Sequence, residues 1–360
     1  MIKKYNYFPI IKTTEAELKA YENLPIEIKN NILPIIELTR SRRSKKNYIG
    51  DIDKNIEKLG KILPSNAYFI LDISMDKFLI NNQLSNFLKS TNNFIEWCNY
   101  VKNLKNQFPN LIPIIHYDVD FISDNIGEIK FLDKFFDYLA FKVDIDDNQS
   151  INYIDEVLKH LNPNKMILIL DKGFVDVRDT KQGDASHLFF PILTELTNKH
   201  YYNNLPKIVY TLSSFPTSVL SSGYNSGDKS QGHFPAVEIF TGLTLAKKYR
   251  ISHGDYASIH PVRYETYATL TPRIDFINKN CFFYFRTSIE SGGYITSAQK
   301  TITSPMYHII EKPTIWADQE IALAAQGKPT HRNPSHWIAV RMNRYIVYRY
   351  LSIQEQYQNP

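Results

Sequence analysis

Tyr7-Phe8-Pro9-Ile10-Ile11-Lys12, then Ile32-Leu33-Pro34-Ile35-Ile36-Glu37, then Tyr68-Phe69-Ile70-Leu71-Asp72: three short apolar runs, each ending on a charged residue. The same punctuation continues down the chain. Leu111 to Ile115 precede His116 and Asp118, and Tyr138 to Phe141 precede Lys142 and Asp144. Met166 to Leu170 precede Asp171, and Ile208 to Leu212 precede Ser213 and Ser214. Near-continuous apolar runs of this length suit parallel strands covered on both faces. Strands that alternate with helical stretches form βαβ units. Seven such units in series predict an α/β fold, a (β/α)8 TIM-barrel-like single domain whose working residues sit at the strand C-terminal ends.

Between the runs the spacing turns helical. Thr14 with Glu17 has capping-box spacing ahead of Leu18, Tyr21 and Leu24. Ile52, Ile56, Leu59 and Leu63 share a helix face, and residues 83–107 read as one or two helices. Ile151, Ile154, Val157, Leu158 and Leu161 form the next, stopped by Pro163. Leu188 to Leu196 and Val237 to Tyr249 are also predicted helical, as are residues 305–325 and 334–352. The stretch from Phe215 to Pro235, rich in Ser and Gly, reads as a long loop after the seventh strand, where many barrels bind phosphate. Three segments compete to supply the eighth strand: Gly254-Asp255-Tyr256, Arg273 to Ile277, and Cys281 to Arg286. The expected division is a barrel core over 1–260, with a barrel-closing hairpin and C-terminal helices over 261–360 in the same domain.

The totals set outer limits. At 360 residues and 43% hydrophobic the chain can build a large core. A formal charge of +5 permits a nucleic-acid or phosphate partner without requiring one. The basic run Arg40, Arg42, Arg43, Lys45, Lys46 follows the second strand and reads as a solvated loop or an anion contact. Two distant cysteines, Cys98 and Cys281, give neither a disulfide framework nor a zinc site. With no apolar leader and no long apolar window, a soluble, cytoplasmic protein without membrane contact is expected.

In this register Lys12, Glu37, Asp72, His116, Asp118, Lys142, Asp144, Asp171 and Ser213 would share one barrel mouth. Carboxylates mixed with lysines and a histidine can hold a divalent metal, tune each other's pKa for acid/base work, or bind an anion. They can equally be rim ion pairs, for example Lys12 with Glu37. Lys12 could form a Schiff base with pyridoxal phosphate, but nothing else in the chain supports a cofactor. The phosphate loop, HExxH, GxSxG and GxGxxG patterns are absent, so any enzymatic reading rests on position alone.

The order of short motifs resembles the Beta-protein family of bacteria and phages. The resemblance runs from the two opening strands through Gly254-Asp255-Tyr256, His260-Pro261, Arg273 and Arg286. It continues to Trp316, Asp318, Ile321, Gly327, Asn333, Trp337 and Asn343. It departs at Ala317, where the family tends to have Gly, and at Arg344 and Tyr345, where it often has two histidines. The resemblance implies a barrel of poorly characterised activity, associated with anti-phage and mobile-element genes.

Three functions follow as expectations. In the first, a component of a bacterial anti-phage defence system binds a phosphorylated ligand, a nucleotide or nucleic-acid end, together with a protein partner from its operon. Lys12, Glu37, Asp72, Asp171, Asp255, Arg273 and Arg286 would form that site, with the arginines gripping phosphate. In the second, a metal-assisted phosphodiesterase or hydrolase draws on Glu37, Asp72, His116, Asp171 and His260. In the third, the chain is a non-catalytic interaction subunit, its 24 Tyr and 21 Phe serving interfaces. The pattern leaves open whether catalysis occurs.

Overall fold

The computed structural model describes residues 2–43, 49–221, 223–262 and 271–358. Its first half alternates β1 (Tyr7–Lys12), α1 (Glu15–Glu22), α2 (Ile26–Asn31), β2 (Ile35–Leu38), α3 (Asp53–Ile62), β3 (Phe69–Ile73), α4 (Asn82–Phe87), α5 (Ile95–Leu104), β4 (Leu111–Ile115) and α6 (Ile122–Phe135). Next come β5 (Leu139–Asp144), α7 (Ser150–Leu158), β6 (Met166–Phe174), α8 (Phe190–Thr197) and β7 (Lys207–Ser213). The remainder is β8 (Tyr224–Asn225), β9 (Gln231–Pro235), α9 (Val237–Ala246), β10 (Ser252–Asp255), β11 (Arg273–Asn278), β12 (Cys281–Arg286), α10 (Gly293–Thr303), α11 (Trp316–Ala325) and α12 (Pro334–Gln358).

Eight parallel strands close into a barrel in the order β1-β10-β7-β6-β5-β4-β3-β2, so the (β/α)8 expectation holds. Each apolar run became a strand because it is buried on both faces. Phe8, Ile10, Ile35, Ile70, Ala140, Ile167, Ile169 and Val209 follow one another around the inner wall by register, all buried. Burying each such aliphatic side chain is worth about 1.5–3 kcal/mol, which is why the runs tolerate so few polar residues.

The eighth strand is Ser252–Asp255, a segment with almost no aliphatic content. Its inner position Gly254 leaves no room for a side chain: a Cβ there would stand 2.5 Å from Thr211 Cγ2 and 2.7 Å from the Tyr210 carbonyl oxygen. The hairpin β11-β12 therefore does not close the barrel, contrary to the sequence expectation. It belongs to a separate sheet of order β11-β12-β9-β8. Two of that sheet's strands come from the stretch expected to be a loop after β7. Gln231–Pro235 pairs along β12, because Phe234 is buried against Phe215 and Phe282.

The barrel's helical ring is completed by α12, which packs against α1 and β11. Helix α10 had no counterpart in the apolar pattern. Its buried face is Tyr294, Ser297, Ala298 and Thr301, too polar to read as a stripe. None of the helices among the described residues is long and apolar enough to cross a membrane.

Candidate functional site at the barrel mouth

Strand register decides which ionisable groups meet. Lys12 on β1 aligns with Glu37 on β2, and Glu37 with Asp72 on β3. Asp171 on β6 aligns with Thr211 on β7, and Lys142 on β5 aligns with Ile169 two residues before Asp171. Side chains alternate along a strand, so Lys12, Glu37, Asp72, Lys142, Asp171 and Thr211 all turn inward at the C-terminal end.

There they form one network. Glu37 Oε2 lies 3.5 Å from Lys12 Nζ, and Glu37 Oε1 lies 3.4 Å from Lys142 Nζ. Lys142 also pairs with Asp72. Burial pushes the Glu37 carboxyl up, but the Lys12 and Lys142 ammonium groups outweigh it and hold it below the usual range. Burial lowers Lys142, and the Asp72, Glu37 and Asp171 charges more than compensate, so its pKa lies above the ordinary lysine value. A lysine held this firmly protonated is not a neutral amine nucleophile.

The loop after β10 caps the network. Pro261 O accepts a 2.6 Å hydrogen bond from Lys12 Nζ, and Ile259 O accepts one of 2.8 Å from Ser213 Oγ. Tyr256 donates to Asp171 Oδ2 at 2.7 Å, and Thr211 donates to Asp171 Oδ1 at the same distance. Burial first, and then the Asp171 charge, push the Tyr256 phenol well above its usual pKa. Lys12 Nζ also lies 5.6 Å from the Tyr256 ring centroid. At the rim the His260 ring lies against Phe174, centroids 4.5 Å apart and planes tilted by 35°, and burial and then Lys12 lower its pKa. Sequence reading missed Tyr256 as a mouth residue. Its signal was parity: Gly254 points inward, so Tyr256, two residues on, does too.

The same parity turns Asp255 outward. It sits behind the barrel wall, fully buried, where Tyr7 donates to Oδ1 at 3.0 Å and the Tyr345 hydroxyl lies 3.1 Å from Oδ2. Arg349 Nε lies 3.5 Å from Oδ2. Asp255 is a wall residue and does not reach the mouth.

His116 also leaves the expected cluster. Strand β4 ends at Ile115, and the His116 ring is stacked on Phe94, set edge-on to Trp97 and placed 3.2 Å from Glu128 Oε1. Those partners lie on or next to α5 and α6, outside the barrel. Asp118 accepts from the Asp120 N–H, and the exposed Asp144 accepts from the Asp146 N–H, as loop caps.

Arg273 and Arg286 face each other across β11 and β12, on the second sheet. Arg273 Nε is 2.7 Å from Asp275 Oδ1, and Asp275 also pairs with Arg341 of α12 at 2.9 Å. Neither arginine joins the mouth network. Of the basic run, Arg40 donates to Phe78 O at 2.8 Å and Arg42 and Arg43 are exposed, while Lys45 and Lys46 lie outside the described residues.

A divalent metal does not fit this donor set. Lys142 Nζ stands between Glu37 and Asp72, and Lys12 holds the other Glu37 oxygen, so ammonium groups fill the cation positions. Among the described residues no group of three or more His, Cys, Asp or Glu side chains is placed to hold a metal ion. What the arrangement can do is donate from a charged Lys142, whose side chain is 19% exposed, and accept at Asp171, which is partly exposed.

The positions where family histidines were expected are structural. Arg344 pairs with Asp318 and lies 4.6 Å from the Tyr307 ring centroid. The Tyr345 hydroxyl stands between Glu238 Oε1 at 3.0 Å and Asp255 Oδ2 at 3.1 Å, with one proton to share between them. An arginine and a tyrosine in these places brace α12 against its neighbours.

A solved GH18 chitinase from Pseudoalteromonas aurantia superposes with a TM-score of 0.40 and 9% identity, covering 69% of this chain and 92% of that one. The chain is 25% identical over 351 residues to Protein beta of Enterobacteria phage P4, covering 96% of this chain and 92% of that protein. The Beta protein family model matches residues 7–350, nearly the whole barrel and its appended sheet and helices, and the chain belongs to that family.

Proposed function

We propose that the barrel mouth binds a phosphate-bearing ligand, a nucleotide or a nucleic-acid end, and that the chain works with a partner subunit in a bacterial anti-phage defence system. The observation that carries the ligand is Lys142, a partly exposed ammonium kept charged by Asp72, Glu37 and Asp171. Asp171 stands on the adjacent strand. Its Oδ2 takes one hydrogen bond, from Tyr256, and keeps a lone pair for the hydroxyl of a sugar joined to the phosphate. Glu37, itself paired with Lys12, holds Lys142 together with Asp72. Three carboxylates face two ammonium groups, so the anion is held weakly and its binding is salt-sensitive. The defence setting rests on family association and not on geometry.

Calorimetric titration with inorganic phosphate and with adenosine monophosphate tests the site. A charge-assisted hydrogen bond is worth about 1.5–3 kcal/mol, so Lys142→Met is expected to weaken binding roughly ten- to hundred-fold. Equal affinities for wild type and variant would reject the assignment. The hydrolase alternative differs in readout: chelator-sensitive turnover of a phosphodiester by the purified chain would replace simple binding with metal-assisted catalysis.

A further inference from the structure

The second sheet carries a row of aromatic rings that crosses every strand. Register aligns Tyr224 on β8 with His233 on β9, His233 with Phe283 on β12, and Phe283 with Phe276 on β11. Successive ring centroids lie 5.1, 5.6 and 5.5 Å apart, with interplanar angles of 28°, 29° and 17°. Phe285, on the same face, stacks on Phe276 at 6.3 Å. The opposite face is committed inward: Phe234, Phe282 and Tyr284 are buried, and Phe282 stacks on Tyr345 of α12.

Cross-strand aromatic pairs stabilise sheets, and that accounts for Phe276, which Tyr307 covers edge-on. It does not account for the other end. Tyr224 is 72% exposed on a two-residue edge strand, and His233, Phe283 and Phe285 are partly exposed beside it.

The charges around this face are unbalanced. Lys229 and Lys279 stand in the turns that flank it, against Asp228, while Arg273, Asp275 and Arg286 alternate with the ring-bearing positions and share the opposite face with Tyr284. Asp275 is taken by Arg273 and Arg341, and Asp228 accepts from Ser226 and Ser230 in its own turn. Lys229 lies in the β8-β9 turn, to one side of the row along the strands, and its carbonyl oxygen accepts from the Arg286 guanidinium at 3.3 Å. Lys279 lies to the other side, in the β11-β12 turn.

We propose that this face is a stacking platform for the unpaired bases of single-stranded nucleic acid, with Lys229 and Lys279 meeting its phosphates. Stacking needs only the flat face of a base, so the platform tolerates any sequence, and flanking cations supply salt-dependent affinity. The site is separate from the barrel mouth and does not depend on what the mouth binds.

The test is fluorescence anisotropy of a labelled oligothymidylate, and of a duplex of equal length, with the full chain at low salt. Wild type is expected to bind the single strand more tightly than the duplex. Tyr224→Ala is expected to weaken single-strand binding roughly five- to hundred-fold, and Tyr224→Phe to preserve it. Lys229→Glu is expected to flatten the salt dependence. Tyr224 is exposed enough that its alanine variant should keep the wild-type melting temperature, which checks the fold. No binding by wild type, or a Tyr224→Ala variant that binds as wild type does, would overturn the proposal. So would light scattering in which Tyr224→Ala dissolves a dimer, since a second copy would then be the occupant.

Discussion

Glu17 should set a pH dependence of stability that a single isosteric change removes. The side chain is buried on α1, 5% exposed, and reaches back past the helix start. Its Oε2 accepts from the Lys12 N–H at 2.6 Å and its Oε1 from Thr14 Oγ1 at 3.1 Å. Burial raises its pKa, Lys12 and the two donors lower it, Glu37 raises it again, and the result moves from 4.5 to about 7. A carboxyl that binds its proton more tightly when folded stabilises the fold below the unfolded pKa and loses that stabilisation as pH rises to the folded value. A shift of about 2.5 units corresponds to about 3 kcal/mol in full, of which about 2.5 kcal/mol falls between about pH 5 and about pH 8. Glutamine keeps an acceptor for the Lys12 N–H and offers its amide to Thr14, but does not titrate. Urea unfolding of wild type and Glu17→Gln across that range should therefore show the variant gaining on wild type by about 2.5 kcal/mol as pH rises. A stability difference that stays constant with pH would refute the assignment of a near-neutral pKa to this buried carboxyl.

Arg349→Met should cost about 3–5 kcal/mol in denaturant unfolding, because it strips the buried Asp255 of its cation and leaves hydroxyl and amide donors alone to hold it. A loss below about 1 kcal/mol would mean that Asp255 is protonated in the fold, and Arg349→Met with Asp255→Asn should recover part of the loss. Gly254→Ala should lower the melting temperature, with a cost of about 1–3 kcal/mol, because its Cβ would press on Thr211 and the Tyr210 carbonyl on the inner wall. Full retention of the wild-type melting temperature would show that β10 can shift.

The barrel was legible because burial on both faces imposes a composition on β1 to β7 that no loop shares. β10 was not, because its inner wall asks for Gly254 and its outer wall takes His253 and Asp255, so nothing aliphatic marks it. The mouth was half legible. The terminal residues Lys12, Glu37, Asp72 and Asp171 do converge, because alternation turns each of them inward at its strand's C-terminal end. His116 failed because β4 stops one residue short of it, and Asp255 because one step along a strand exchanges the inside for the outside. Arg273 and Arg286 failed for a different reason. Conspicuous arginines at strand ends were assigned to the barrel, when their strands belong to a sheet that only a long-range pairing with Gln231–Pro235 creates.

Strand β1 gains β2 on one edge early, but its other edge stays open until β10 arrives, and Lys12 and Ser252 are separated by 240 residues of sequence. At about 5–20 residues per second on the ribosome, that interval lasts roughly 10–50 s. Throughout it, the unpaired edge of Tyr7-Phe8-Pro9-Ile10-Ile11 is offered to any passing chain. The nascent protein therefore has a window of vulnerability set by topology. A holdase that shields the first fifty or so residues, or a slower-acting aggregation partner, would decide the yield long before the finished barrel's stability matters.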